Sequence, residues 1–225
     1  MPIDITTDEI ENPMKNEEII NNKVHLANTD NNPNNNNDNN PNNNDSLLIA
    51  EANIQEEVLK IIVNEARFKD QLRNKGFGEV FDNEFILNSL ETLYLLSNNK
   101  LKLFGKKQYN FSSFLKILLK KDKQILTKYL IFRDLRSKGY VVKEGFGFGT
   151  DFRIYERGEH GKKPSKYVSI GINEGLSIKS KDFVDTIDQI EKMGKDTVIA
   201  VIERRGEVIY YKTIKMSFFE NKKKS

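Results

Sequence analysis

From Tyr129 onward, apolar residues recur at the i, i+3, i+4 spacing of one helical face, as Tyr129, Leu130, Phe132 and Leu135, while Arg133, Asp134, Arg136 and Lys138 fill the other face. The helix is expected to stop at Gly139, the residue type that best tolerates a left-handed cap. A short apolar run follows from Tyr140 to Val142. Gly145, Gly147 and Gly149 then alternate with Phe146 and Phe148, and Asp151 to Tyr155 alternates polar with apolar as a strand does. After a charged, glycine-containing loop from Glu156 to Pro164, Lys166 to Ile172 again alternates as a strand. A helix is predicted over Ser180 to Met193 with Phe183, Val184, Ile187 and Ile190 on one side. The continuous apolar run Val198 to Ile202 predicts a strand covered on both faces, and Val208 to Tyr211 returns as a strand after a turn at Arg204 to Glu207.

Upstream the apolar runs are shorter. Leu47, Leu48 and Ile49 open a strand, Val58 to Val63 is a second apolar run, and Ala66, Phe68 and Leu72 read as a helix ending at Gly76. Phe85 to Leu87 makes a short strand. Ser89 is the expected N-cap of a helix that buries Leu90, Leu93, Tyr94, Leu95 and Leu96 and runs to Asn98. Leu101 and Leu103 alternate on a strand, and a helix from Ser112 turns Phe114, Leu115, Leu118 and Leu119 inward. The expectation is an α+β protein in three parts. Residues 1–45 are an Asn-rich polar tail, too poor in apolar area to offset its backbone entropy and so disordered; 46–122 form a small α+β module; 123–220 form a mixed sheet flanked by helices.

Composition narrows the chemistry. The chain has no cysteine, which excludes disulfides and thiolate metal sites and suits a reducing interior. No apolar run approaches the ~20 residues that span a bilayer, and the N-terminus lacks the basic-then-apolar order of a signal peptide, so a soluble, cytoplasmic protein without a membrane partner is expected. The net charge of +3 conceals an asymmetry: residues 1–57 hold 12 acidic and 2 basic side chains, leaving 34 basic against 21 acidic in the rest. Such a balance suits a polyanionic partner and equally a solvated lysine-rich surface.

The segment Tyr129 to Tyr155, YLIFRDLRSKGYVVKEGFGFGTDFRIY, resembles the tRNA-splicing endonuclease family, whose members carry a similar RDLRxxGYVVKxGxxFGxDFRxY run. The stretches NKGFGEV, from Asn74, and FILNSLETLYLLSNNKLKL, from Phe85, are similar to the GYYG and LxLSxxEALYLLExGKLxV runs of that family's N-terminal domain, so the resemblance covers about residues 47–212. It implies a restriction-endonuclease-like C-terminal domain behind a small N-terminal domain. It also implies RNA cleavage without metal or cofactor, to a 2′,3′-cyclic phosphate and a 5′-hydroxyl.

Such cleavage needs a base for the ribose 2′-hydroxyl, an acid for the leaving 5′-oxygen and a cation for the charge that builds on phosphorus. By resemblance these roles fall to a Tyr, a His and a Lys. The Tyr closing DFRxY is Tyr155. The Lys precedes an apolar strand in a pattern like RKxLLLAxVD, which Gly194 to Glu203 follows, and is Lys195; read alone, it is a surface lysine at a helix C-terminus. The His belongs to an HSxYLV pattern, and here the chain departs, writing Pro164-Ser165-Lys166-Tyr167-Val168. Proline transfers no proton. Two readings stand open: His160, in the same loop, folds back as the acid, or the site is degenerate and the chain is a structural or RNA-binding subunit.

For binding, Arg153, Arg157, Lys162, Lys163 and Lys166, with Lys138 and Lys143, lie on or beside the elements around Tyr155 and are expected to face phosphates of a precursor tRNA or other structured RNA. The ordinary alternative is a solvated face balanced by Glu144, Asp151, Glu156 and Glu159. Asp151 and Glu203, followed by Arg204 and Arg205, loosely imitate an acidic pair with a cation, but the order of elements brings no further metal ligand to them. The resemblance further implies a homo- or hetero-oligomer of endonuclease subunits, with Val208 to Tyr211 as a pairing strand. The two arginines of Glu203 to Glu207 depart from the acidic loop that joins family members in larger assemblies.

Overall fold

Strict alternation in β1, Ala50–Gln55, buries Ala50, Ala52 and Ile54 and exposes the residues between them. The computed structural model describes residues 50–55 and 57–216, so the strand opening at Leu47 to Ile49, the Asn-rich tail and the basic end from Asn221 lie outside the described residues. β1 pairs antiparallel with β2, Lys60–Val63. Helix α1, Ala66–Asn74, buries Phe68 and Leu72 and is followed by Gly76 at φ +73°. A Cβ on Gly76 would lie 2.7 Å from the Val141 side chain, so glycine here permits both the left-handed turn and close contact with the second sheet.

β3, Glu79–Phe81, and β4, Glu84–Leu87, form a hairpin around Asp82 and Asn83, both at positive φ as a two-residue turn of this hand requires. Periodicity missed β3 because all three of its side chains are exposed. Helix α2, Ser89–Ser97, corrects the expected cap by one residue. Asn88, not Ser89, accepts the Glu91 N–H, and the Glu91 carboxylate accepts the Asn88 N–H in return. β5, Leu101–Phe104, lies parallel to β1, and β6, Gln108–Tyr109, completes a six-stranded sheet of order β3-β4-β2-β1-β5-β6. Helix α3, Phe111–Leu119, is capped by Asn110.

Helix α4, Ile125–Ser137, begins one turn before its predicted stripe and serves both halves of the chain. Phe132 contacts Tyr94 of α2 edge-on and Phe152 in the second sheet, and the Tyr129 hydroxyl donates to Ser97 Oγ at 2.9 Å. Buried phenylalanines of this kind cost about 3–5 kcal/mol when cut to alanine, so α4 is an apolar link between the two halves. It ends where predicted, with Gly139 at φ +87°.

The second sheet holds β7, Val141–Gly147, β8, Thr150–Tyr155, β9, Tyr167–Asn173, β10, Asp196–Ile202, and β11, Val208–Thr213, in the order β11-β10-β9-β8-β7. Only β9 and β10 run parallel, joined by α5, Ser180–Lys192. α4 covers the face bearing Phe152; α5 covers part of the other, where Val168, Ile170, Ile190 and Phe183 pack together. Val184, expected on the buried side of α5, is exposed because it sits a hundred degrees round the helix from Phe183. The architecture is mixed, α+β, as expected. Among the described residues no helix is long and apolar enough to cross a membrane.

Candidate active site

Strand register decides which side chains share a face. Arg153 on β8 stands opposite Val168 on β9, which stands opposite Thr197 on β10. Tyr155 lies two residues beyond Arg153 and therefore projects from that same face, on the side of the sheet that α5 covers. The ladder continues one step past the strand ends, since the Lys166 N–H donates to the Ile154 carbonyl at 3.1 Å and the Asp196 N–H to the Lys166 carbonyl at 3.1 Å. Continuing the pairing aligns Tyr155, Lys166 and Lys195 across three adjacent strands. Tyr155 and Lys195 are thus separated by two strand spacings, about 10 Å of backbone, on one face.

Lys195 is held rather than paired. Its Nζ donates to the Ser165 carbonyl at 2.7 Å and lies 5.6 Å from the centroid of the Phe146 ring. The Arg153 guanidinium lies 5.2 Å from that same ring and donates through Nε to the Glu144 carbonyl at 2.7 Å. Two cations thus share one aromatic ring, an attraction worth roughly 0.5–1 kcal/mol each at exposed sites. Burial, and then the Arg153 charge, hold the Lys195 amine below its usual value.

Phe146 owes its position to the glycines around it. Gly147 and Gly149 take positive φ, Phe148 between them is itself at φ +38°, and the Thr150 hydroxyl closes the turn by accepting the Phe146 N–H and donating to the Gly147 carbonyl. Sequence reasoning saw the alternation of glycine and phenylalanine but gave the ring no role. The signal was an exposed aromatic in a tight hairpin five residues before the DFR run.

His160 comes to Tyr155. The loop between β8 and β9 winds back through turns, with the Glu159 N–H on the Glu156 carbonyl and the Lys162 and Lys163 N–H groups on the Glu159 carbonyl. This carries the imidazole edge-on to the phenol ring, with centroids 4.8 Å apart and planes at 88°. Burial depresses the imidazole's proton affinity first; the Lys143, Arg136 and Arg153 charges depress it further, against the opposing pull of Glu79. Arg153 is therefore an electrostatic neighbour of both His160 and Lys195. Pro164 is exposed, while the buried Ser165 beside it supplies the carbonyl that holds Lys195.

The expected basic face divides. Lys163 is ion-paired with Glu159 at 2.8 Å and Lys166 with Glu156 at 2.6 Å, while Lys138 is paired with Asp134. Arg157 is exposed and donates to the Lys138 carbonyl. Lys162 is exposed beside His160 in a shared cleft. Lys143 is a correction: it is buried, with its Nζ 2.9 Å from Glu91 and donating to the Gly78 carbonyl at 3.0 Å, and so offers nothing to a phosphate. Its place beside the elements around Tyr155 suggested the surface, but the first module closes over it. Asp151, likewise offered for a solvated face, is half-buried with its carboxylate accepting the Gly171 N–H at 2.7 Å, and burial raises its proton affinity. Among the described residues no three His, Asp or Glu side chains gather as a metal-binding group.

Comparison with known proteins agrees with this architecture along most of its length. A family model described as tRNA intron endonuclease, catalytic C-terminal domain, matches residues 125–210, and one for the N-terminal domain of that family matches residues 55–115. The chain is 35% identical to the tRNA-splicing endonuclease of Thermococcus onnurineus (strain NA1) over 147 residues, covering 64% of this chain and 84% of the relative. With the tRNA-splicing endonuclease of Methanothermobacter thermautotrophicus it shares 31% identity over 164 residues, covering 72% and 94%. The tRNA-splicing endonuclease of Methanococcus maripaludis is 29% identical over 154 residues, 68% of this chain and 87% of the relative.

Proposed function

The chain belongs to the tRNA intron endonuclease family, and from that membership we propose that it is a catalytic subunit of a tRNA-splicing endonuclease with a displaced general acid. Its parts are an N-terminal module over residues 46–122 and a catalytic domain over residues 123–220. The substrate is a precursor tRNA, cut at its exon–intron junctions.

In the proposed reaction, Tyr155, acting as its phenolate, takes the proton of the ribose 2′-hydroxyl, and the 2′-oxygen attacks the adjacent phosphorus. Lys195, with Arg153 beside it, stabilises the added negative charge. As the bond from phosphorus to the 5′-oxygen breaks, His160 gives that oxygen its proton. The products are a 2′,3′-cyclic phosphate and a 5′-hydroxyl, and Tyr155 and His160 between them account for both protons moved. The observation that carries this reading is the edge-on packing of His160 on Tyr155 at 4.8 Å, which supports a histidine arriving from a different loop position than the HS pattern uses. β11 is an outer strand of its sheet and is the expected seam with another endonuclease subunit.

The experiment is cleavage of an intron-bearing precursor tRNA, scored by cyclic-phosphate ends. Tyr155→Phe, Lys195→Ala and His160→Ala are each expected to lower the rate, the last by roughly 10²–10⁴-fold. Pro164 at the usual acid position favours a second reading, a subunit that supports cleavage only beside a partner. That reading prevails if the chain is silent alone, gains cleavage when a subunit with an intact HS pattern is added, and is indifferent to His160→Ala.

A further inference from the structure

A cleft of about 500 Å³ opens between the end of α1, the end of α4 and the loop that carries His160. Arg73, Arg136, His160 and Lys162 line it, and among the described residues no carboxylate does. Three neighbouring cavities of 340–390 Å³ differ in this respect. Each mixes cations with acids: Glu79, Glu91 and Glu144 in one, Asp122, Glu144 and Asp151 in the next, Glu156, Glu159 and Asp196 in the third.

Arg136 is the informative member. It is half-buried, yet its Nη1 donates to the Tyr140 carbonyl at 3.2 Å, its Nη2 to the Lys75 carbonyl at 2.7 Å, and its guanidinium lies 3.9 Å from the Phe77 ring centroid. These partners orient the charge without neutralising it. Glu91, whose field reaches Arg136, is already committed to Lys143 and to the Gly78 and Asn88 amides. Arg136 is withdrawn from water beside Lys162 and beside Arg73, whose charge Asp70 shares at 3.6 Å, and with no carboxylate of the described residues on the cleft wall the field there favours a bound anion. The position of the cleft names the anion, because its His160 wall is the ring that touches Tyr155.

We infer that this cleft is a second phosphate subsite, which takes an RNA phosphodiester neighbouring the scissile one and so makes the end of α1, in the N-terminal module, part of the RNA-binding surface. The inference rests on the endonuclease reading above for its choice of RNA, while its own test is a binding measurement. Contacts that are the same in substrate and transition state change KM and leave kcat alone. Removing a phosphate contact on single-stranded RNA lowers the slope of log affinity against log salt by about 0.7.

The test uses Arg73→Gln with Lys162→Gln in the full chain, both exposed positions, titrated with an intron-bearing precursor tRNA at several salt concentrations. Lys102→Gln, exposed on β5 and outside the cleft, controls for loss of charge alone. The double variant is expected to bind about tenfold more weakly with a slope reduced by about 1.4, raising KM at constant kcat, while Lys102→Gln stays near the parent. Affinity and slope equal to those of the parent, or a loss matched by the control, overturn the subsite. Absence of cleavage with the cleft-dependent binding intact sinks the catalytic reading and sustains the subsite. Normal cleavage with unmoved binding does the reverse, and no RNA binding by the parent chain removes both.

Discussion

Lys143, on β7, and Lys195, one residue before β10, belong to the same sheet, and the same ammonium meets opposite surroundings in the two places. Lys143 is buried with a carboxylate at 2.9 Å, and Glu91 in turn accepts the Gly78 and Asn88 N–H groups, so the pair ties the second sheet to the first module. Burial is costly enough there that the Glu91 carboxyl is raised above its usual range despite Lys143 beside it. Among the described residues Lys195 meets a carbonyl and a ring face, with Arg153 as a like-charged neighbour. A cation with its own carboxylate holds structure together; a cation held by neutral groups is the one proposed above to meet a substrate phosphate.

Breaking the buried pair gives the largest effect. Lys143→Met leaves Glu91 buried without its cation and is expected to lower stability by about 3–5 kcal/mol in urea unfolding, whereas Lys195→Met stays within about 0.5 kcal/mol and instead loses about 10²–10³ in cleavage rate. Equal destabilisation by the two substitutions would erase the distinction between them. Next in size, adding Glu91→Gln to Lys143→Met is expected to recover about 1–3 kcal/mol, because the stranded charge is gone while Asn88 keeps an acceptor at its cap. A double variant no more stable than Lys143→Met alone would mean that packing, not charge, holds the junction.

The smallest effect is on pH. A general acid works only while protonated, so with His160 held below the usual value of 6.5 the cleavage rate is expected to fall as pH rises through a midpoint on the acid side of that value. Arg153→Gln removes one of the cations that oppose protonation, which raises the affinity of the imidazole for its proton and shifts the descending limb to higher pH. A pH–rate profile whose limb stays in place, or moves downward, would detach His160 from the Arg153 and Lys195 cluster.

Local patterning carried most of the elements. The stripe ending at Gly139 and the alternation before Tyr155 became the helix and strand their periods predict, because each buries one stripe or face whose spacing is local, and the unbroken apolar run of β10 became a strand. Elements without such a face escaped, as β3 did, and caps moved by a residue where Asn88 rather than Ser89 met Glu91. For the proposed site, resemblance to the family run singled out Tyr155 and Lys195, and Pro164 marked the departure from the HS pattern.

What the order of residues determined by itself was therefore the set of elements and the chemical types available. Which charges stay available was a tertiary decision. Lys143 and Arg153 are opposite one another on adjacent strands, yet the first module closes over one and not the other. His160 has no motif around it and meets Tyr155 only because the loop turns back on itself. Solvation and through-space distance set the worth of a charge, and neither is a property of neighbours along the chain.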